Sequence, residues 1–133
     1  VLPPGEYLYD LDPSIGRASL VDLLAPSLEA WLLAPEVAYL SGNRAVDSPF
    51  ARRFRIVRWL PYAERRILDA CREAGAGRVE VMRRASPVDT NALEVRLNRA
   101  LDRTLARVLT IALTRSGSEH IAILCERERD WGA

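Results

Sequence analysis

The feature that most constrains this chain is a pair of β-branched-rich runs, Arg107–Thr114 and His120–Cys125, joined through the turn Arg115-Ser116-Gly117-Ser118. Two such runs across a short glycine-bearing turn close as an antiparallel hairpin, and a lone hairpin is marginal in water. Further elements must therefore cover it, and the preceding residues supply them. Phe54–Leu60 alternates with period two, placing Phe54, Ile56, Arg58 and Leu60 on one strand face and Arg55, Val57 and Trp59 on the other, until Pro61 ends the run. Tyr62–Ala74 sets Ala63, Ile67, Ala70, Cys71 and Ala74 on one helical stripe, stopped by Gly75-Ala76-Gly77. Val79 and Val81 mark another strand. Asp89 is placed to cap a second helix by accepting from the backbone of Asn91 or Ala92, with Leu93, Leu97, Ala100 and Leu101 turned to the core.

The first third reads differently. Val1–Asp12, with Tyr7, Leu8 and Tyr9, is an extended entry strand or linker. Asp12-Pro13 is an N-cap followed by proline at the first helical position, and Ile15, Ala18, Leu20, Leu23 and Leu24 follow at mostly helical spacing. Pro26 is expected to break this helix, with Ser27 capping a second one through Leu33, before Val37–Leu40 forms a short strand. The expected architecture is α+β: a helical N-terminal segment, residues 1–35, then a βαβαββ mixed-sheet domain, residues 36–133.

With 49% apolar and 28% charged residues among 133, the chain can bury a core without a disulfide or metal. Neither cysteine has a zinc-site companion at close spacing, and both Cys71 and Cys125 fall on apolar faces, which favours small core residues over nucleophiles. His120 is the single histidine; nothing near it in sequence supplies a serine or aspartate partner. Gly75-Ala76-Gly77 precedes a strand, whereas a phosphate cradle needs a helix N-terminus. No catalytic set, cofactor site or metal site is expected in these residues. No apolar run approaches the ~20 residues that span a bilayer, so a cytoplasmic protein without membrane contact is expected.

Charge is the remaining clue. The basic residues are all arginine, 19 against 18 acids, unevenly spread. Residues 1–49 carry 2 Arg and 7 acids, residues 50–84 carry 10 Arg and 4 acids, a net +6, and residues 85–133 are balanced at 7 and 7. The basic block interleaves cations with aromatics. Arg52, Arg53, Arg58, Arg83 and Arg84 are candidates for phosphate contact, and Phe50 and Trp59 for stacking on a base. Arg65 and Arg66, at helical spacing from Asp69 and Glu73, read instead as members of surface ion pairs. The competing reading is a solvated surface, or an interaction module that packs on another domain or pairs two copies.

Gly5-Glu6-Tyr7-Leu8-Tyr9-Asp10, Asp12-Pro13, Arg17-Ala18, Ala38-Tyr39-Leu40-Ser41-Gly42, Ser48-Pro49-Phe50-Ala51-Arg52, Gly77-Arg78-Val79-Glu80, Val88-Asp89 with Ala92-Leu93, and the final paired strands occur in that order. In order and spacing they resemble the THUMP-like domain at the C-terminus of a bacterial family of class I S-adenosylmethionine-dependent methyltransferases. The chain departs from that pattern at Ala85, where a glycine is usual after Arg83-Arg84, and in a longer stretch from Asn98 to Arg107. The resemblance implies a non-catalytic domain that binds or presents RNA, partnered by its own N-terminal methyltransferase domain, which would hold the S-adenosylmethionine. That domain is expected to precede Val1, consistent with the missing initiator Met.

Overall fold

The structure, a computed structural model, describes residues 1–13 and 18–131. The chain runs β1 (Tyr7–Leu11), α1 (Ala18–Leu28), β2 (Ala30–Leu32), β3 (Tyr39–Gly42), β4 (Ala51–Pro61), α2 (Glu64–Glu73), β5 (Ala76–Arg83), α3 (Thr90–Ala100), β6 (Arg107–Ser116) and β7 (Glu119–Arg129). It is a mixed α+β fold on a seven-stranded sheet of order β2-β3-β1-β4-β7-β6-β5, in which β5 and β6 alone run parallel. From β4 onward the element order is the expected βαβαββ. The β6–β7 hairpin forms with Ser116 opposite Glu119 and Gly117 at φ +61°.

The expectation of a helical N-terminal segment is corrected. The chain begins with a strand, and β1 lies inside the sheet between β3 and β4. Leu8, Tyr9, Asp10 and Leu11 are all buried, so both faces of β1 are covered and the strand shows no alternation. Pro26 does not end α1, which continues to Leu28, and the Ser27 hydroxyl donates to the Leu24 carbonyl 2.9 Å away rather than capping a new helix. The residues expected to form that second helix hold the short strand β2. The start expected at Asp12-Pro13 runs into residues 14–17, outside the described residues.

The two later helices form as their sequences dictate. Asp89 accepts from Ala92 N–H at 3.1 Å at the head of α3, and Ile67, Ala70 and Cys71 of α2 are buried. They pack with Leu93, Leu97, Val79, Leu109, Ile111, Leu113 and Leu124 into the largest apolar cluster. A bidentate pair, Arg96 to Glu64 at 2.9 Å for both bonds, ties α3 to α2. Alpha-helix α1 covers the same sheet face further along, placing Leu24 and Leu28 on Tyr9, Leu11, Leu40 and Ala51.

The opposite face is concave. The segment after β2 crosses it, burying Leu33, Ala34 and Val37 against Phe54, Ile121, Ile123 and Cys125, and the Leu33 carbonyl accepts from Gly117 N–H at 2.7 Å. The sheet curls far enough that the end of β1 touches the residue after β5, although three strands lie between them in the hydrogen-bonded order.

The outer edge of β5 is closed by α3. Asn98 accepts from Val79 N–H and donates to Val79 C=O, at 2.8 and 3.0 Å, and Glu94 accepts from Val81 N–H at 2.7 Å. These bonds satisfy backbone groups that would otherwise invite another strand.

Candidate nucleic-acid interface

The arginines expected to meet phosphates divide by environment. Asp10 is 2% exposed and accepts from Arg52 Nη2 at 2.6 Å and Nε at 3.1 Å, and from Arg84 Nε at 2.9 Å. Arg84 also donates to the Leu11 carbonyl at 2.9 Å. Arg52 Cζ lies 4.1 Å from the centre of the Trp131 ring, whose indole N–H donates to the Asp10 carbonyl at 2.9 Å. This cluster ties β1 and β4, inside the sheet, to the residue that follows its edge strand β5. Its guanidinium groups are oriented inward, toward a carboxylate and rings, so they present little charge to a ligand.

Arg53 is likewise engaged, by Asp47 and Glu128, its side chain only 14% exposed. The Arg53 hydrogen bond holds the Asp47 carboxyl below its ordinary range. Glu126 is pulled down in the same way, first by Arg107 and then by Arg55. Trp59 is half-buried in the apolar cluster on the concave face, whereas Phe50 is 43% exposed ahead of β4. Arg83 is exposed and donates to the Val88 carbonyl.

Arg58 is redirected by the backbone. Between Ile56 and Arg58 the ladder to β7 shifts register, and the extra residue of this bulge breaks the simple alternation. Phe54, Ile56 and Trp59 therefore share one apolar cluster, while Val57 and Leu60 join the cluster under α2 and α3. The expected grouping of Leu60 with Phe54 and Ile56, and of Val57 with Trp59, is thereby corrected. Arg58 meets Glu73 of α2 at 2.9 Å, in a pair exposed on both sides.

The cations read from sequence as paired are the open ones. Arg65 and Arg66 on α2 are exposed, and among the described residues neither forms an ion pair; Glu73 is held by Arg58 instead. Arg99 and Arg103, on the last turn of α3 and the loop after it, are exposed and form no ion pair among the described residues. Arg72 spans the two helices by donating to the Ala100 carbonyl at 3.0 Å. The helical face and its β5 edge thus carry a group of accessible cations; Arg115, beside the β6–β7 turn, is also exposed and forms no ion pair among the described residues. Sequence reasoning missed this because i, i+4 spacing permits a pair without requiring one.

The two thiols and the imidazole are all at least partly buried. Burial pushes the Cys71 thiol up to about 11 and Cys125 further, so neither is a ready thiolate. His120 does have a serine partner, contrary to the local reading: Ser86 Oγ lies 2.9 Å from Nε2, while Tyr62 stacks on the ring at 4.5 Å. Burial lowers the His120 pKa. Among the described residues no carboxylate bonds to the other ring nitrogen, so no orienting third group completes a triad. Among the described residues no cluster of His, Cys, Asp or Glu could hold a metal ion. Nor, among them, is any helix long and apolar enough to cross a membrane.

Comparison with known proteins supplies the family. The model of the family described as THUMP domain-like matches residues 51–127, the stretch from β4 into β7. This chain belongs to that family. Two curated relatives, uncharacterized S-adenosylmethionine-dependent methyltransferases from two strains of Mycobacterium tuberculosis, are each 33% identical over 129 residues. The match covers 97% of this THUMP-like chain but 36% of theirs, so the chain spans about a third of their length. Among solved structures, a chain from Porphyromonas gingivalis that carries a provisional methyltransferase name has a TM-score of 0.69 at 18% identity, over 98% of this chain and 32% of that one. TrmN from Thermus thermophilus has a TM-score of 0.50 at 20% identity, over 94% of this chain and 46% of its own. At these identities the two structures show a shared fold.

Proposed function

We propose that this THUMP-like chain is the non-catalytic, RNA-binding part of an S-adenosylmethionine-dependent methyltransferase, and that it presents RNA from its helical face. The observation that carries the reading is the open arginine set, Arg65, Arg66, Arg99 and Arg103, exposed and without an ion pair among the described residues. Arginines free of carboxylates retain their capacity to fork onto phosphate oxygens, while those clasping Asp10 do not. Exposed Arg83 and Phe50 lie outside this set and would extend the contact at most. Arg52, Arg53 and Arg84 act on the fold.

S-adenosylmethionine would be held outside these residues, in the remaining two-thirds typical of the relatives. The contribution of this chain is then to hold RNA in register with that site, lowering the entropic cost of bringing two reactants together. Binding through phosphates should be fast, steered and strongly salt-dependent.

The test is affinity for labelled tRNA and rRNA pieces between about 50 and 200 mM salt. Log affinity falling linearly with log salt, with a slope of several phosphate contacts, supports the reading. Absence of binding across that range removes it and favours a module that packs on the catalytic domain or pairs two copies.

A further inference from the structure

At the β5 edge a groove of about 440 Å³ is lined by Gly77, Arg78, Asn98, Arg103, Leu105, Ala106 and Val108. We propose that it seats a nucleotide unit of single-stranded RNA, with Arg78 and Arg103 on the phosphates and Leu105 and Val108 against ribose or base. The proposal rests on the RNA-binding reading and assigns it a place.

The groove is built by the backbone. A Cβ on Gly77 would stand 1.9 Å from the Leu105 carbonyl oxygen, so only glycine allows the loop after α3 to press onto β5. Asp102, exposed, folds back to accept from both the Thr104 N–H, at 3.0 Å, and the Thr104 hydroxyl, at 2.6 Å. Those bonds occupy the acid within its own turn and leave Arg103, the next residue, at an exposed apex.

The lining contains two cations and no acid. Arg78 is 66% exposed and its closest carboxylate, Glu80, is 3.9 Å away and also faces Arg127. Asn98 is committed on both sides of its amide to the β5 backbone, so it shapes the floor without competing for the ligand. Leu105 and Val108 are each 46% exposed, an apolar wall beside the charges. Cations paired with exposed apolar surface suit a chain of phosphates bearing flat bases. A protein partner matched to the same groove would have to supply carboxylates to two guanidinium groups.

The experiment compares the full-length protein with the double variants Arg78→Glu/Arg103→Glu and Arg78→Lys/Arg103→Lys, using a short fluorescent single-stranded RNA titrated across salt. Both positions changed are exposed charges, and matched thermal melts check that folding is kept. Loss of two phosphate contacts should make the salt slope shallower by about 1.4 in the Glu variant, while the Lys variant keeps the wild-type slope. Wild-type binding with an unchanged slope in the Glu variant would overturn the groove and leave the RNA reading standing. No binding by wild type would overturn both.

Discussion

Replacing Asp10 with Asn is close to isosteric and removes one charge, which makes it a clean probe of the clasp between β1, β4 and the end of β5. The carboxylate is 2% exposed and takes three guanidinium bonds, from Arg52 at 2.6 and 3.1 Å and from Arg84 at 2.9 Å. Without it, two cations whose side chains are 15% and 27% exposed face each other across a poorly solvated space. Breaking a buried ion pair by removing one partner costs about 3 to 5 kcal/mol. Arg84 keeps some water, so the lower end, about 3 kcal/mol, is expected. For a domain of this size that corresponds to a fall in Tm of roughly 10 °C. Urea and thermal unfolding of Asp10→Asn, Arg84→Met and the double variant measure it, with the double variant losing less than the sum of the singles. A loss below about 1 kcal/mol for Asp10→Asn, or strict additivity, would refute the clasp and return Arg52 and Arg84 to the pool of available cations.

Other consequences follow from single residues. Ala85 sits at φ 59°, in the left-handed region, so Ala85→Gly should raise stability by roughly 1 kcal/mol; a destabilised variant would contradict that reading of its backbone. His120 is held partly buried with its pKa lowered by that burial. As pH falls through about 6.5 the unfolded chain takes up a proton that the folded one resists, so stability should decline in that window, and His120→Gln should flatten the decline. Parallel pH profiles for wild type and His120→Gln would rule this out. Cutting the α2–α3 tie with Arg96→Ala, a pair exposed on both sides, should leave the urea midpoint almost unchanged, and a clear fall would mean that the helices depend on it.

The parts of the fold legible in sequence are those fixed by local pattern. The β6–β7 hairpin announces itself through Gly117 between two β-branched runs, and α2 and α3 through their apolar stripes, with Asp89 capping as expected. The extended segment holding Tyr7, Leu8 and Tyr9 is legible as an entry strand or linker, but its place inside the sheet, between β3 and β4, is not. Burying Asp10 on an inner strand depends on Arg84, which is distant in sequence and meets the carboxylate only in the folded chain. The register shift at Arg58 is equally invisible, because a bulge depends on the partner strand β7 as well as on β4. The interface followed the same logic. A +6 block is a property of sequence, but which of its arginines remain available depends on where the acids of the other segments fall. Asp10, Asp47 and Glu128 claim Arg52, Arg53 and Arg84, and Arg65 and Arg66 are left open. The Ser86 partner of His120 also needed the tertiary fold, since it lies after β5 and His120 opens β7.

The most direct test of RNA binding through the helical face is an NMR titration with a labelled tRNA fragment, following backbone amides and the Nε–Hε signals of arginine. Shifts concentrated on Arg65, Arg66, Arg99 and Arg103 and along 98–108, with the Arg52, Arg53 and Arg84 signals unmoved, are expected. Shifts concentrated instead on Arg52, Arg53 and Arg84, with the α2 and α3 arginines silent, would contradict it and place the RNA on the side where Asp10 now holds the charge.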